Sequence, residues 1–263
     1  MTLWQGIILG LVQGLTEFLP VSSSGHLAVA RAVMGLRADD AAFVFVAVAL
    51  HVATLGSVLV VYGGRLWRIA VGVFRRSGDA VRYGAFLVIG TIPGAVLGVL
   101  FHERFEEAFG SLRFIGAAFI VTGLVLWSTR WSRPRAAGMT PGDALGIGLA
   151  QAVAILPGIS RSGSTISASL WRGLAPEDAA EFSFLLAVII IAGSGAFEAR
   201  KAVSGLAAVG AAPLAASFVV AFASGIWSIR FLVALLKRGR FYAFAPYCWI
   251  VGVLTIGYAV WRG

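Results

Sequence analysis

The chain has 263 residues, of which 59% are hydrophobic and only 13% are charged, and its mean hydropathy is +0.90. A soluble domain carries about 25% charged residues, so this composition excludes a soluble globular protein. The net charge of +9 would suit a nucleic-acid-binding protein, but the basic residues are scattered among loops between apolar runs. Anionic lipid headgroups explain that pattern better. We therefore expect a lipid bilayer, and no nucleic acid, as the partner.

In chain order, the first predicted element is an apolar region at 2–36 that is broken in its middle by Pro20 and the serines after it. Each half is too short to span a bilayer, which needs about 20 residues, and proline ends a helix near its preceding residue. Non-helical backbone survives at membrane depth only inside protein or beside a wet cavity. We predict a re-entrant helix–turn–helix hairpin. A cleavable signal peptide is not expected, because Gln13 and Glu17 interrupt the run and no basic residue precedes it.

The remaining apolar segments predict membrane-spanning helices, and their continuous character excludes an outer-membrane barrel. The predicted spans are 41–62, 84–101, 113–131, 180–198, 212–236 and 246–261. A second broken region, 141–175, lies between the third and fourth spans and predicts a second hairpin. We therefore expect a single all-α polytopic membrane domain over 1–263, with about six full transmembrane helices and two re-entrant hairpins.

The two halves of the chain, about 1–131 and 134–261, share one plan of a hairpin followed by three spans. Three crossings is an odd number, so the second half must lie upside down relative to the first. This is an inverted-topology repeat, in which the two turns meet near the midplane. The Lys/Arg count is 12 on one side and 7 on the other, with Arg161 and Arg230 in the membrane layer. The positive-inside rule makes the first side cytoplasmic, so the first hairpin opens outward.

The first hairpin carries a carboxylate in membrane-grade sequence, and such residues default to a functional interpretation. Gln13 and Glu17 are four residues apart and share a helix face. Glu17 is a candidate general base, or, with Gln13, a ligand of Mg²⁺ or Ca²⁺, which prefer carboxylate and amide oxygens. The structural alternative is a buried acid bonded to its neighbours.

The turn that follows holds Ser22, Ser23 and Ser24, with His26 just beyond. An imidazole is the usual group that activates a serine as a nucleophile. The alternatives are helix capping for the serines and an ordinary buried histidine for His26.

The second turn combines hydroxyls with an arginine and opens a half-helix. The free N–H groups and the dipole of a helix N-terminus favour an anion, and an arginine fork suits phosphate oxygens. The alternative is an Arg161–Glu17 ion pair that only holds the hairpins together. The residues concerned are Ser160, Arg161, Ser162 and Thr165.

Other polar residues carry less signal. We expect His51 and Thr54 to pack within the first full span, Arg230 to pair with a hairpin or snorkel, and Cys248 to pack as a small hydrophobe. A solvated loop is expected at His102, Glu103, Glu106 and Glu107.

Two composite motifs resemble those of the undecaprenyl-diphosphate phosphatase family (the BacA/UppP type). They are Gln13-x-x-x-Glu17 followed by Phe-Leu-Pro-Val-Ser-Ser-Ser-Gly-His26, and Pro157-Gly-x-Ser-Arg-Ser-Gly-x-Thr165. The motifs occur in the family's order, and the plan of spans agrees over the whole chain.

The resemblance implies an integral enzyme of the bacterial plasma (inner) membrane that hydrolyses undecaprenyl diphosphate to the monophosphate and inorganic phosphate. This step recycles the cell-wall lipid carrier and is associated with bacitracin resistance. The resemblance also implies a divalent cation, a site open to the outer face, a role for Glu17 and His26, and Ser23 as a proposed nucleophile. Ser160, Arg161, Ser162 and Thr165 match the phosphate-handling motif. Gln13 stands where the family has Glu or Gln, which leaves the cation's ligands open.

The alternative function is an inverted-repeat transporter or flippase for a polyprenyl phosphate lipid, because broken helices in inverted repeats are transporter architecture. The sequence leaves open a homodimer, the choice between Ser23 and water as the attacking group, and which ion binds.

Overall fold

The computed structural model describes residues 1–36, 41–135, 138–202 and 209–262. Within these ranges the chain forms helices and no strands. The α-helices are α1 (Leu3–Phe18), α2 (Ser23–Val33), α3 (Ala41–Phe74), α4 (Gly78–Leu100), α5 (His102–Phe109), α6 (Leu112–Ser128), α7 (Pro141–Val153), α8 (Arg161–Trp171), α9 (Pro176–Ala202), α10 (Ala211–Lys237) and α11 (Ala245–Trp261). Short 3-10 helices cover Thr129–Trp131 and Phe241–Phe244. Arg37, which entered the charge count, lies outside the described residues.

Six of the described helices are long and apolar enough to cross a membrane, and they coincide with the six predicted spans. The all-α polytopic fold is therefore confirmed. The predicted end of the first span at residue 62 is wrong, because α3 continues to Phe74 and has 34 residues. At 1.5 Å per residue it is about 51 Å long, well beyond a hydrocarbon core of about 30 Å. Gly63, Gly64 and Arg65 end the apolar run without ending the helix.

The loop predicted at His102, Glu103, Glu106 and Glu107 is instead helix α5. No glycine or proline interrupts 102–109, so nothing in this stretch breaks a helix. The helix is solvated as expected, and an exposed ion pair of 3.3 Å joins Arg104 to Glu107 on its surface. The predicted loop is therefore wrong, because a run of charged residues can form an exposed helix as well as a loop.

The two broken regions form helix–turn–helix pairs. Helices α1 and α2 have 16 and 11 residues and contact each other, as do α7 and α8, which have 13 and 11. The longest of the four, α1, extends about 24 Å, which is shorter than the hydrocarbon core. The breaks are therefore where the sequence places them, and their depth in the bilayer stays a prediction.

Each hairpin packs on a helix of the other half of the chain. Helix α1 packs against α10, where a Cβ on Gly10 would lie 2.4 Å from the Ser217 carbonyl oxygen. Helix α7 packs against α4, where a Cβ on Gly148 would lie 2.6 Å from the Gly90 carbonyl oxygen. Small residues allow such backbone approach in membrane bundles. Helices α3 and α9, and α6 and α11, also pack in pairs across the two halves, so the halves interlock.

Basic residues that the charge count assigned to one side share one end of the bundle. Arg65 pairs with Glu181 at 2.8 Å, and Asp143 pairs with both Arg172 and Arg135. These contacts join α3 to α9, and join the segment after α6 to the mouth of the second hairpin. Which side of the membrane this end faces stays a prediction.

Candidate active site

The first turn is built around Ser22, which has a φ of +67°. Such a conformation is costly for a residue with a side chain and often marks functional sites. The Ser22 hydroxyl accepts a hydrogen bond from the Gly25 N–H at 3.4 Å and so caps α2. It also lies 3.3 Å from the Ser24 hydroxyl. Capping, one of the expected roles, therefore belongs to Ser22.

The second turn is fixed by Gly158 and Ser160. Gly158 has a φ of +93° and passes so close to α6 that a Cβ would lie 2.6 Å from the Ile115 carbonyl oxygen. The Thr122 hydroxyl donates to the Gly158 carbonyl at 2.9 Å and accepts from the Ser160 N–H at 3.1 Å. The Ser160 hydroxyl accepts from the Gly163 N–H at 3.0 Å and caps α8.

The two turns contact each other directly. A Cβ on Gly25 would lie 3.0 Å from the Gly158 Cα, and the Ser162 hydroxyl donates to the Leu19 carbonyl at 3.1 Å. The N-termini of α2 and α8 therefore lie side by side. Each carries a partial positive charge from its unpaired N–H groups, so the junction of the turns favours an anion.

Glu17 joins the two hairpins through its carboxylate. Its Oε1 accepts from the Arg161 guanidinium at 2.7 Å, and its Oε2 accepts from the Ser23 hydroxyl at 2.6 Å and the Gln13 amide at 3.0 Å. The side chains of Glu17 and Arg161 are 6% and 14% exposed, so this ion pair is largely desolvated. The structure thus brings together four polar residues of the two motifs, which are Gln13, Glu17, Ser23 and Arg161.

The Arg161–Glu17 ion pair is present, as expected if Arg161 only held the two hairpins together. The guanidinium nevertheless keeps N–H donors that could bind an anion. A guanidinium carries five N–H donors, and the contacts described for Arg161 are those to Glu17 and, at 3.4 Å, to the Ser183 carbonyl. Buried ion pairs are rarely favourable enough to be explained by stability alone. Arg161 therefore lies beside two helix N-termini and has N–H groups that none of these contacts uses.

His26 does not contact the Ser23 hydroxyl. Its Nδ1 lies 2.8 Å from the Ser22 carbonyl oxygen and its Nε2 lies 2.8 Å from the Tyr247 hydroxyl of α11. Both ring nitrogens are thus engaged one turn away from Ser23. The expected serine–imidazole pair is replaced by a serine–carboxylate pair, because the Ser23 side chain points back towards α1 and Glu17.

The site is open on one side and closed on the other. Ser23, Ser24 and His26 are partly exposed, whereas Ser162 and Thr165 are buried. The Thr165 hydroxyl lies 2.6 Å from the Ser183 hydroxyl and donates to the Arg161 carbonyl at 2.9 Å. Ser162 and Thr165 therefore support the turn from behind, while the N-terminus of α2 forms the accessible face.

Other polar residues take varied positions. His51, which the sequence assigned to packing, lies within α3, where its Nδ1 is 2.8 Å from the Ala47 carbonyl oxygen. Thr54 is buried and bonded to backbone, as expected. Arg230 is exposed on α10. Cys248 is fully buried, in agreement with its predicted packing role.

Three residues of the site escaped the sequence analysis: Thr122, Ser183 and Tyr247. Thr122 and Tyr247 stand in apolar segments, and Ser183 follows the acidic residues at the start of α9, but none of the three belongs to either motif. A single hydroxyl in a membrane helix usually bonds to its own backbone. Only their spatial position beside the two turns distinguishes them. The sequence offered no signal that could have found them.

The donor set near Glu17 can be tested against a divalent cation. Among the described residues no three His, Cys, Asp or Glu side chains cluster, so an all-protein cage is absent from that part of the chain. The Gln13 Oε1, however, is buried without a hydrogen-bond partner, next to the Glu17 carboxylate. Mg²⁺ commonly uses one or two protein carboxylates and takes its other ligands from water and substrate phosphates. These oxygens fit such a cation.

A cavity of about 750 Å³ lies away from this site, at the end of the bundle that holds Arg65 and Glu181. Its lining includes Arg68, Arg82 and Asp178 but none of the predicted site residues. Its mixed charges suit a hydrated surface at the bundle end. The predicted site residues meet instead at the junction of the turns, where the carboxylate, hydroxyls and guanidinium are in contact.

Comparison with known proteins gives matches over nearly the whole chain. Residues 6–254 match the family described as "Bacitracin resistance protein BacA". The chain belongs to this family. A relative named "Undecaprenyl-diphosphatase" from Syntrophotalea carbinolica is 42% identical over 262 residues, covering 96% of this chain and 97% of the relative. Relatives with the same name from Desulforapulum autotrophicum and Bacteroides fragilis are 38% and 40% identical and cover at least 96% of both chains. Family membership therefore extends across both hairpins.

Proposed function

We propose that this protein is a membrane-embedded phosphatase that hydrolyses undecaprenyl diphosphate to undecaprenyl phosphate and inorganic phosphate. The observation that carries the proposal is the Arg161–Glu17–Ser23 arrangement at the junction of two helix N-termini. Full-length relatives named as undecaprenyl-diphosphatases support the substrate. The activity recycles the lipid carrier of cell-wall synthesis. A transporter function is not favoured, since these relatives are named as enzymes.

The proposed mechanism begins with the terminal phosphate at the junction of the turns. Arg161 and the N-termini of α2 and α8 bind its oxygens, since phosphoryl transfer depends mainly on positioning and charge stabilisation. The Ser23 oxygen attacks the terminal phosphorus while its proton passes to the Glu17 Oε2, 2.6 Å away. The bond from phosphorus to the bridging oxygen breaks, and undecaprenyl phosphate leaves. Water then attacks the phosphoserine phosphorus, and the Ser23 oxygen leaves with the proton that Glu17 took up in the first step. The His26 Nε2 accepts the proton that water loses, because its Nδ1–H donates to the Ser22 carbonyl.

We further propose that Glu17 and Gln13 hold a divalent cation, Mg²⁺ or Ca²⁺, through carboxylate and amide oxygens. When bound, such a cation neutralises charge on the phosphate oxygens. The unpaired, buried Gln13 Oε1 supports this assignment. Because Glu17 also faces Arg161, both charges would find new partners when the substrate phosphate occupies the site.

We also propose an inverted repeat in the bacterial inner membrane, with the site open to the outer face. The reciprocal packing of α1 on α10 and α7 on α4 supports the repeat. The positive-inside rule supports the orientation, because arginines gather at the opposite end. The prenyl tail remains in lipid while the head enters beside α2. A homodimer remains a prediction from the sequence.

The decisive experiment measures phosphate released from undecaprenyl diphosphate by purified protein in detergent. The wild type should release one phosphate per lipid. Arg161→Lys keeps the charge but loses the planar fork, so we expect turnover to fall at least about a hundredfold, as for a lost bidentate phosphate contact. The exposed Arg113→Lys on α6 is the matched control. Phosphate release within about threefold of the wild type by Arg161→Lys would contradict the anion-binding role.

A further inference from the structure

Tyr247 is the only described hydroxyl that reaches the His26 imidazole, and neither motif contains it. Its oxygen lies 2.8 Å from the His26 Nε2, and the two rings are nearly parallel, with 7° between their planes. On the other side, Phe119 meets the imidazole edge-on at 4.9 Å between centroids. The ring is therefore held between α6 and α11, two helices that carry none of the residues of the two motifs.

The two hydrogen bonds define the state of the imidazole. The Ser22 carbonyl can only accept, so the Nδ1 at 2.8 Å must carry a proton. The Nε2 of the neutral ring must then accept from the Tyr247 hydroxyl. When the ring becomes charged, the same hydroxyl can accept from Nε2–H, because a phenol both donates and accepts. A histidine that gains and loses a proton keeps its ring orientation only if its hydrogen-bond partner can both donate and accept.

We propose that Tyr247 is the positioning residue of His26. It fixes the ring direction together with the Ser22 carbonyl and preserves a hydrogen bond to Nε2 in both charge states. Tyr247 is 44% exposed and contacts the partly exposed His26 on the accessible side of the site. The inference rests on the proposed function, because His26 has a catalytic role only if the site hydrolyses phosphate.

The test compares Tyr247→Phe with a matched control on the same helix. Tyr258 also lies on α11, and its hydroxyl also donates to α2, at the Ala32 carbonyl 3.4 Å away. If the tyrosines only tethered α11 to α2, both Phe variants would behave alike. We expect Tyr247→Phe to lower kcat about tenfold to a hundredfold, as for a lost hydrogen bond to a group that becomes charged. KM should stay within about twofold, and Tyr258→Phe should match the wild type.

A double variant shows whether Tyr247 acts through His26. In a His26→Ala background, Tyr247→Phe should cause no further loss, since residues in one chain of contacts are not additive. Additive losses, an equal loss in Tyr258→Phe, or a change confined to KM would overturn the proposal. These results require an active wild type. An inactive wild type would contradict the proposed function itself.

A second measurement does not depend on activity. Nitrogen NMR of ¹⁵N-histidine-labelled protein distinguishes the two tautomers of His26, whose signals are assigned by their loss in His26→Ala. The wild type should show the Nδ1–H form, and the Nε2 signal should move in Tyr247→Phe but not in Tyr258→Phe. An Nε2–H tautomer in the wild type, or a signal unmoved by Tyr247→Phe, would overturn the proposal. The wild-type spectrum suffices if Tyr247→Phe does not fold.

Discussion

Gly14 is a position where packing controls the chemistry, because it lies on α1 between Gln13 and Glu17 and faces α10. A Cβ at this position would lie 2.0 Å from the Ser224 hydroxyl oxygen and 2.4 Å from the Ala221 carbonyl oxygen. Ordinary contacts to carbon are about 3.5–4.0 Å. The Ala221 oxygen belongs to the backbone of a packed helix, so Gly14→Ala must push α1 away from α10 by about 1 Å or more.

This displacement should lower both the free energy of unfolding and the rate of turnover. Overpacking of a close-packed interface costs about 1–3 kcal/mol, so the free energy of unfolding should fall by that amount. The Glu17 carboxylate lies less than one helical turn beyond Gly14 and would move with the helix. A misplacement of about 1 Å can cost on the order of a hundredfold in rate. We therefore expect turnover to fall far more than the stability loss alone would suggest.

The assay combines phosphate release with thermal unfolding in detergent. Gly146→Ala is the matched control, since Gly146 lies on α7 of the other hairpin and a Cβ there meets no atom within 4 Å. It should be neutral or slightly stabilising. Adding Ser224→Ala to Gly14→Ala removes one of the two clashes and should restore activity only in part. Wild-type stability and turnover in Gly14→Ala would refute the argument that α1 is held at contact distance.

Three further predictions concern charged or reactive groups. Glu17→Gln should lose most of its turnover, because the acceptor of the Ser23 proton is removed, and the activity that remains should need at least about tenfold more cation; an unchanged cation titration would place the ion elsewhere. Ser23→Ala should fall to near background, and no phosphoserine should be trapped by acid quench; substantial residual turnover would favour direct attack by water. Burial opposes the charged form of Asp143, but hydrogen bonds from Arg172 and its neighbours hold the pKa of this carboxyl well below its usual range. Its stabilisation is therefore complete above the unfolded pKa of about 4 and is lost as pH falls below that value. Arg135 and Arg172 are 34% and 48% exposed, so water would solvate them in Asp143→Asn, and we expect a cost of about 1–3 kcal/mol at pH 7. The acid side of the melting profile should also flatten; an unchanged profile would contradict this.

The sequence predicted the fold well because bilayer constraints are strong. Runs of about 20 apolar residues have few alternatives to a spanning helix, and Pro20 and Pro157 mark the two breaks. The limits of α3 were missed because hydropathy reports where lipid ends and not where helical hydrogen bonds end. Helix α5 was missed because exposed charges are compatible with helix and loop alike. Local composition therefore shows which segments can span a bilayer, but it does not show at which residue a helix ends.

The site was predictable where chemistry is dense along the chain and not where it is assembled in space. The meeting of Glu17 and Arg161 followed from two unusual ionisable residues that each needed a partner in a poorly solvated layer. The partner of His26 did not follow, because Tyr247 lies 221 residues away in an unremarkable apolar helix. The same holds for Ser23, whose contact with Glu17 depends on the positive φ of Ser22.

The charge balance at the junction explains how such a site persists within apolar surroundings. One carboxylate and one guanidinium face each other in the described structure, so neither remains an unpaired buried charge, which would cost several kcal/mol. Gln13 keeps this balance, because a second carboxylate at that position would leave the resting site with an excess negative charge. Under the proposed function, a phosphate bound to Arg161 would release the Glu17 Oε1, while the Ser23 hydroxyl already donates to the Oε2 of that carboxylate. In the proposed mechanism, the Glu17 Oε2 would then take the Ser23 proton while the phosphate occupies Arg161, and the ion pair would be linked to catalysis in this way.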